Sequence, residues 1–163
     1  MKTFTEFISF ADLTETFNTV YPWHIARSTP TGTIYNFSVP MPTGAKLAQV
    51  EIWVDEGQRE LPDHEITIMF TVDRHIDVAG WGDSVKFGVF STVIAIIKDY
   101  VTKYTPKIIR FSAEKESQNN KSDSRERLYT ALVQRFAATS GYRMVSKKNK
   151  SGYNLVVFTL IRK

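Results

Sequence analysis

The order of apolar and polar residues in the second half of the chain predicts a helix, a strand and a second helix. From Ser84 to Tyr104, apolar residues recur every three or four positions, which predicts one long helix with an unusually wide apolar surface. Pro106 ends this helix. Lys107–Ala113 then has the pattern of a strand that is apolar on both faces, as in an interior strand flanked by helices. A second helix is predicted over Asp123–Ser140, followed by Gly141.

The first half of the chain carries the two-residue alternation that is typical of strands. Ala45–Val54, for example, has one uniformly apolar face. Residues 3–19 instead have helical spacing. The other predicted strands are Trp23–Ser28, Thr33–Val39, Glu65–Val72 and Ile76–Ala79, with a C-terminal hairpin formed by Tyr142–Lys147 and Tyr153–Ile161.

These elements predict a single α/β domain with a mixed, twisted sheet. A chain of 163 residues is long enough to bury a core of its own and is short for two domains. We divide it into an N-terminal helix (1–20), a β-hairpin (21–44) and a core (45–163) that ends in the C-terminal β-hairpin.

The composition narrows the class of protein. The chain has no cysteine, which excludes disulfides, thiolate metal sites and cysteine nucleophiles. Its three histidines lack the spacing of metal ligands, so we expect no metal site. The most apolar run, Val85–Val101, is charged and too short to span a membrane, and the N-terminus lacks the apolar core of a secretory signal. We therefore expect a cytoplasmic protein with no membrane partner.

A glycine-containing loop precedes the first long helix. The backbone N–H groups of such a loop and helix start can point at a bound anion, because the helix dipole is positive there. Asp77 and Asp83 oppose this, since a carboxylate repels a phosphate and can itself satisfy the free N–H groups. A structural turn and a phosphate site both remain open. The candidate cofactor-binding residues are Gly80, Trp81, Gly82, Asp83, Ser84 and Val85.

Two further places are candidates for acid–base chemistry. Tyr129, in the second predicted helix, either protonates a leaving group or is an ordinary amphipathic residue with its hydroxyl at the rim of the core. Glu114 and Glu116 follow the interior strand, where an active-site acid can stand and where loop charges are also common.

The C-terminal hairpin is strongly basic. From Tyr142 to Lys163 there is no acidic residue, and aromatic residues interleave with the cations. Clustered cations contact phosphates and aromatic rings stack on bases, so nucleic acid is a candidate partner; a solubilising hairpin is the alternative. The cations are Arg143, Lys147, Lys148, Lys150, Arg162 and Lys163.

The order of elements over residues 45–161 resembles that of GNAT-type acyltransferases, which transfer acyl groups from coenzyme A. That superfamily has three antiparallel strands, a glycine loop, a helix, a parallel strand, a second helix and a terminal hairpin. Asp77–Gly82 matches its Q/R-x-x-G-x-G/A loop at the two glycines alone, and Leu128-Tyr129 matches a Leu-Tyr pair in its second helix. The resemblance implies a GNAT-like core, acetyl-coenzyme A as the cofactor of a catalytic member, and Tyr129 as the general acid for the departing thiolate.

The chain also resembles an uncharacterised protein family of tailed bacteriophages. The matching segments are the Met-Lys-Thr-Phe start, Gly80–Asp83, Val89–Val93, Ser124–Tyr129 and Arg135–Ala137. This resemblance implies a phage-encoded protein in the host cytoplasm. The first ten residues also resemble peptides that target phage proteins into the capsid, and Leu13–Glu15 matches a head-protease cleavage pattern, so the virion interior is the alternative location, with residues 1–15 removed. The other interpretation of this segment is an ordinary helix whose Phe4, Phe7, Ile8 and Phe17 pack onto the domain.

Together the residues and resemblances give three functional hypotheses. Because the loop acids oppose a phosphate, the first is an accessory protein with a degenerate cofactor loop, which binds a host or virion protein and no cofactor. The second is an active acyl-coenzyme-A-dependent N-acyltransferase. The third is a nucleic-acid-binding accessory factor.

Overall fold

The computed structural model describes residues 19–42, 44–72, 83–114, 122–150 and 155–163. At some element ends, including residues 83, 84 and 122–129, it describes the backbone without the side chains. The helices are α1 (Asp83–Tyr104) and α2 (Ser122–Ser140). The strands are β1 (Trp23–Thr29), β2 (Gly32–Val39), β3 (Lys46–Glu56), β4 (Glu65–Val72), β5 (Ile108–Glu114), β6 (Tyr142–Lys150) and β7 (Leu155–Arg162).

The described strands form one seven-stranded sheet in the order β1-β2-β3-β4-β5-β7-β6. β4 and β5 are parallel, and every other neighbouring pair is antiparallel. Parallel neighbouring strands need a crossover connection, and the connection between β4 and β5 contains α1. The β1–β2 hairpin extends the same sheet, with Thr29 opposite Gly32 across its two-residue turn.

Both described helices pack on one face of the sheet. Side chains alternate between the faces of a strand, and in β2, β3, β4, β5 and β7 the buried residues lie on the face that the helices cover. α1, α2, β4, β5 and β7 meet around a small apolar cavity of about 20 Å³, which lies between the helices and this face. The buried strand residues include Tyr35, Phe37, Val50, Ile52, Ile66, Ile68, Phe70, Ile109, Phe111, Phe158 and Leu160.

The wide apolar surface of α1 is buried as its sequence predicts. Ile97 is 4% exposed, and Phe90, Ile96 and Tyr100 are buried as completely. Ile94 is half-buried and packs against the core. The helix ends at Tyr104, and the next residue, Thr105, has a left-handed backbone (φ 43°) and donates its N–H to the Val101 carbonyl.

The structure corrects one prediction about β5 and adjusts several boundaries. The prediction that β5 is flanked by helices on both sides is wrong for the described residues, since both helices lie on the face of Ile109 and Phe111. Arg110, on the other face, is half-buried without a described helix over it. β5 also includes Glu114, and β6 continues to Lys150. The predicted helix over 3–19, except for Thr19, and the predicted strand over 76–79 lie outside the described residues.

Candidate functional site

The sheet divides between β4 and β5. Their parallel pairing covers four residues of each strand, from Glu65 opposite Ile108 to Ile68 opposite Phe111. Beyond that point β4 continues to Val72, paired to β3, and β5 continues to Glu114, paired to β7. We call the two facing edges, Met69–Val72 and Ser112–Glu114, the fork. Among the described residues neither edge has a strand partner on its inner side, so the backbone N–H and C=O groups of both edges lack a described ladder partner.

Aromatic side chains close the fork on the side of the helices. Phe70, one position past Met69, stacks on Phe111 with ring centroids 6.2 Å apart and planes 20° from parallel. Phe90 of α1 meets Phe70 edge to face at 5.7 Å, and Phe158 lies 6.4 Å from Phe111 on the other side. These four rings are at most 6% exposed. They form the floor of the fork, so access to its backbone groups is from the opposite face of the sheet.

Half-buried side chains line the accessible face of the fork. Met69 and Thr71 of β4 and Ser112 of β5 alternate with the floor residues and therefore lie on the opposite face. They provide two hydroxyl groups and one thioether next to the unpaired backbone. This mixture suits an extended, amide-bearing ligand better than a highly charged one.

An ionic cluster holds the closed end of the fork together. Arg110 of β5 contacts Glu65 of β4 at 2.7 Å and Asp55 of β3 at 3.8 Å. Thr67 of β4 donates a hydrogen bond to the same Asp55 carboxylate. The cluster joins β3, β4 and β5 where the β4–β5 pairing ends. Because Arg110 is partly exposed to solvent, its ion pairs contribute only modestly to stability.

The predicted cofactor loop and catalytic tyrosine fall mostly outside what the structure describes. Gly80, Trp81 and Gly82 precede the described start of α1, and the side chains of Asp83 and Ser84 are also outside it. Val85 is half-buried and packs against the core, so its side chain serves the fold. Tyr129 lies within α2, with its side chain outside the described residues.

The predicted basic surface lies on an edge strand. Arg143, Lys147 and Lys148 are exposed on β6, the last strand of the sheet, and Lys150 ends that strand. Exposed lysines also protect a sheet edge against pairing with other chains, so their position alone does not identify a ligand. Nucleic-acid binding there stays a prediction.

A buried histidine that sequence analysis missed lies away from the fork. His64 is fully buried, with Nδ1 2.6 Å from the Leu61 carbonyl oxygen and Nε2 3.5 Å from the Tyr100 hydroxyl. Burial raises the pKa of Tyr100 above its usual value. Arg59 lies over the neighbouring Tyr104 ring at 4.8 Å. These contacts join the start of β4 to the end of α1 and serve the fold.

The described part of the chain has no candidate metal site and no candidate membrane-spanning helix. There, no group of three or more histidines and acids is arranged to hold a metal ion. Neither described helix is long and apolar enough to cross a membrane.

Sequence analysis also missed the fork and its ionic cluster. The fork has no local signal, because it depends on where the pairing of two strands about 40 residues apart stops. The position of Arg110 could have indicated the ionic cluster, because a charge inside an apolar strand requires an opposite charge nearby. Glu65 and Asp55 supply that charge.

Comparisons with known proteins add little to this geometry. No family model and no curated protein sequence matches the chain. A solved structure of an uncharacterised protein from Bacillus halodurans aligns with 96% of this chain and 69% of its own, at a TM-score of 0.44 and 9% identity.

Proposed function

We propose that this chain is a phage-type accessory protein with a GNAT-like fold, which binds an extended segment of a host or virion protein at the fork. The observation that carries the proposal is the early end of the β4–β5 pairing. The host cytoplasm is the proposed site of action, with the virion interior as the alternative.

The order of elements supports the GNAT-like part of the proposal. Antiparallel strands lead into β4, the connection through α1 returns to the parallel β5, and α2 leads to a terminal hairpin. This order agrees with the elements that the superfamily resemblance predicts for residues 45–161, apart from the strand over 76–79 and the glycine loop, which lie outside the described residues.

The chemistry of the fork supports an extended ligand. Unpaired peptide groups on a sheet edge bind a chain that can form a ladder of hydrogen bonds with them, as in β-strand addition. Two ligand classes fit that requirement: a polypeptide segment and the amide-bearing arm of coenzyme A.

The acidic residues of the preceding loop favour the polypeptide. Coenzyme A would bring its phosphates toward the start of α1, near Asp77 and Asp83 in sequence, and each close carboxylate–phosphate pair costs roughly 1 to 4 kcal/mol. A polypeptide carries no such obligatory negative charge. An acyl-coenzyme-A-dependent N-acyltransferase remains the second candidate, because the fork itself would accept the coenzyme arm.

Site-specific photo-crosslinking tests the proposal. We would place benzoylphenylalanine at Ser112, on the accessible face of the fork, and in a separate variant at Thr159. Thr159 is a matched control: it is half-buried on the same face, but pairs with Arg110 at the closed end. Both variants would be produced in bacterial cytosol.

We expect benzoylphenylalanine at position 112 to capture a defined polypeptide that benzoylphenylalanine at position 159 does not capture. Excess acetyl-coenzyme A should leave the capture unchanged. Equal capture at both positions, or none at Ser112, would contradict a protein site at the fork. Competition by acetyl-coenzyme A would instead favour the acyltransferase.

A further inference from the structure

A groove between α1 and α2 lies on the outer side of the helices, away from the fork. It has a volume of about 170 Å³ and combines apolar walls with two cations. Its lining residues are Val20, Ser91, Ile94, Ala95, Lys98, Arg135 and Phe136.

Ser91 lies in the wall of the groove. Its side chain belongs to a residue only 5% exposed, and its hydroxyl has no hydrogen-bond partner among the described residues. A buried hydroxyl without a hydrogen-bond partner costs free energy, so the wall of the groove is polar at this one point.

The described chain begins at the mouth of this groove. Val20 lines the groove, and the next residue is fixed to α1: the Tyr21 N–H donates to Thr92 Oγ1 at 2.8 Å, and Thr92 donates to the Gly88 carbonyl at 2.7 Å. The Tyr21 ring also packs directly over Gly88. Residues 1–18 are therefore tethered beside the groove, which gives them a high effective concentration there.

The preceding segment has the complementary chemistry. Residues 1–18 contain the apolar residues Phe4, Phe7, Ile8 and Phe17 and the acids Glu6, Asp12 and Glu15. As a helix the segment would be about 27 Å long, comparable to the roughly 33 Å of the 22-residue α1. It can supply apolar groups for Ile94 and Phe136 and a carboxylate for Lys98.

We infer that residues 1–18 dock in the groove between α1 and α2 of the same chain, with their apolar face on Ile94 and Phe136 and an acidic side chain near Lys98. This inference concerns a surface away from the fork and does not rest on the proposed function.

The absence of cysteine from the chain allows a direct test in the full-length protein. Ala95→Cys places one thiol in the groove, and Ala26→Cys, exposed on the far edge strand, is the matched control. The rate at which each thiol reacts with maleimide would be measured in two backgrounds. One background has the native residues 1–18, and the other carries Phe7→Asp and Ile8→Asp together. We expect the Ala95→Cys thiol to react about tenfold faster in the altered background, because docking is lost, and the Ala26→Cys rate to stay constant.

A second measurement leaves the segment unaltered. A spin label on Ala95→Cys should broaden the amide signals of residues 4–17, whereas a label on Ala26→Cys should not. Equal Ala95→Cys reaction rates in the two backgrounds, or no selective broadening from the Ala95 label, would each overturn the docking inference.

Discussion

Phe70 and Phe111 stack across the point where β4 and β5 stop pairing, with ring centroids 6.2 Å apart. The last paired residues are Ile68 and Phe111, so Phe70 contacts its neighbour without a backbone ladder between them. The two rings bridge strands that have separated, which keeps the fork open on one face and sealed on the other.

The contribution of this floor can be measured by truncation. We expect Phe70→Ala to lower the free energy of unfolding by about 3 to 5 kcal/mol, since it removes a fully buried ring that contacts Phe90 and Phe111. Phe70→Leu, which retains apolar volume, should cost clearly less. Urea denaturation would measure both. A loss below about 1 kcal/mol for Phe70→Ala would mean that the ring does not seal the fork.

The burial of α1 gives a second stability prediction. Ile97→Ala should cost about 2 to 5 kcal/mol, because Ile97 lines the core between α1 and the sheet. Thr102→Ala, at an exposed position on the same helix, serves as the control and should change stability by about 0.5 kcal/mol or less. Similar effects at both positions would contradict the assigned buried face.

Gly88 and Tyr21 should be energetically coupled. In an ordinary helix Gly→Ala stabilises by about 0.5 to 1 kcal/mol, but a Cβ at Gly88 would overlap the Tyr21 ring. We therefore expect Gly88→Ala to give no gain, or a loss, in the native chain and to stabilise the Tyr21→Ala variant. Thermal unfolding of the four chains in this double-mutant cycle measures the coupling. Additive effects would show that Tyr21 does not pack there.

Alkaline pH should destabilise the protein through its buried tyrosines. Burial raises the pKa of Tyr142 from 10.0 to about 12, and its hydroxyl donates to the Pro106 carbonyl. Between these two values the unfolded chain has lost the proton and the folded chain retains it. Stability is therefore fully present below pH 10 and falls toward pH 12, by up to about 1.4 kcal/mol per pH unit for each such group.

Tyr142→Phe isolates this contribution. At pH 9 we expect the variant to be less stable, because the hydrogen bond to Pro106 is gone. Between pH 10 and 11.5 the free energy of unfolding of the variant should fall less steeply than that of the native chain, by up to about 1.4 kcal/mol per pH unit. Urea midpoints over this range provide the measurement, and parallel slopes for the two proteins would contradict the buried, protonated Tyr142.

The sequence predicts local elements here better than it predicts their arrangement. The alternation in Glu65–Val72 identified β4 and its buried face, because period and burial are local properties. The sequence did not predict that helices cover only one face of β5. Ile108 makes the second face look apolar, and an apolar face suggests a helix packed on it. His64 was also missed, because its burial depends on Tyr100, 36 residues away.

Titration of acetyl-coenzyme A into the full-length protein, followed by calorimetry, tests most directly whether the fork serves a polypeptide or an acyl-coenzyme. We expect binding no tighter than about 1 mM, because Asp77 and Asp83 oppose the phosphates. Changing both to asparagine should strengthen binding by roughly tenfold or more. A micromolar dissociation constant for the unaltered chain would contradict a polypeptide site at the fork and make the acyltransferase, with Tyr129 as its first residue to mutate, the better explanation.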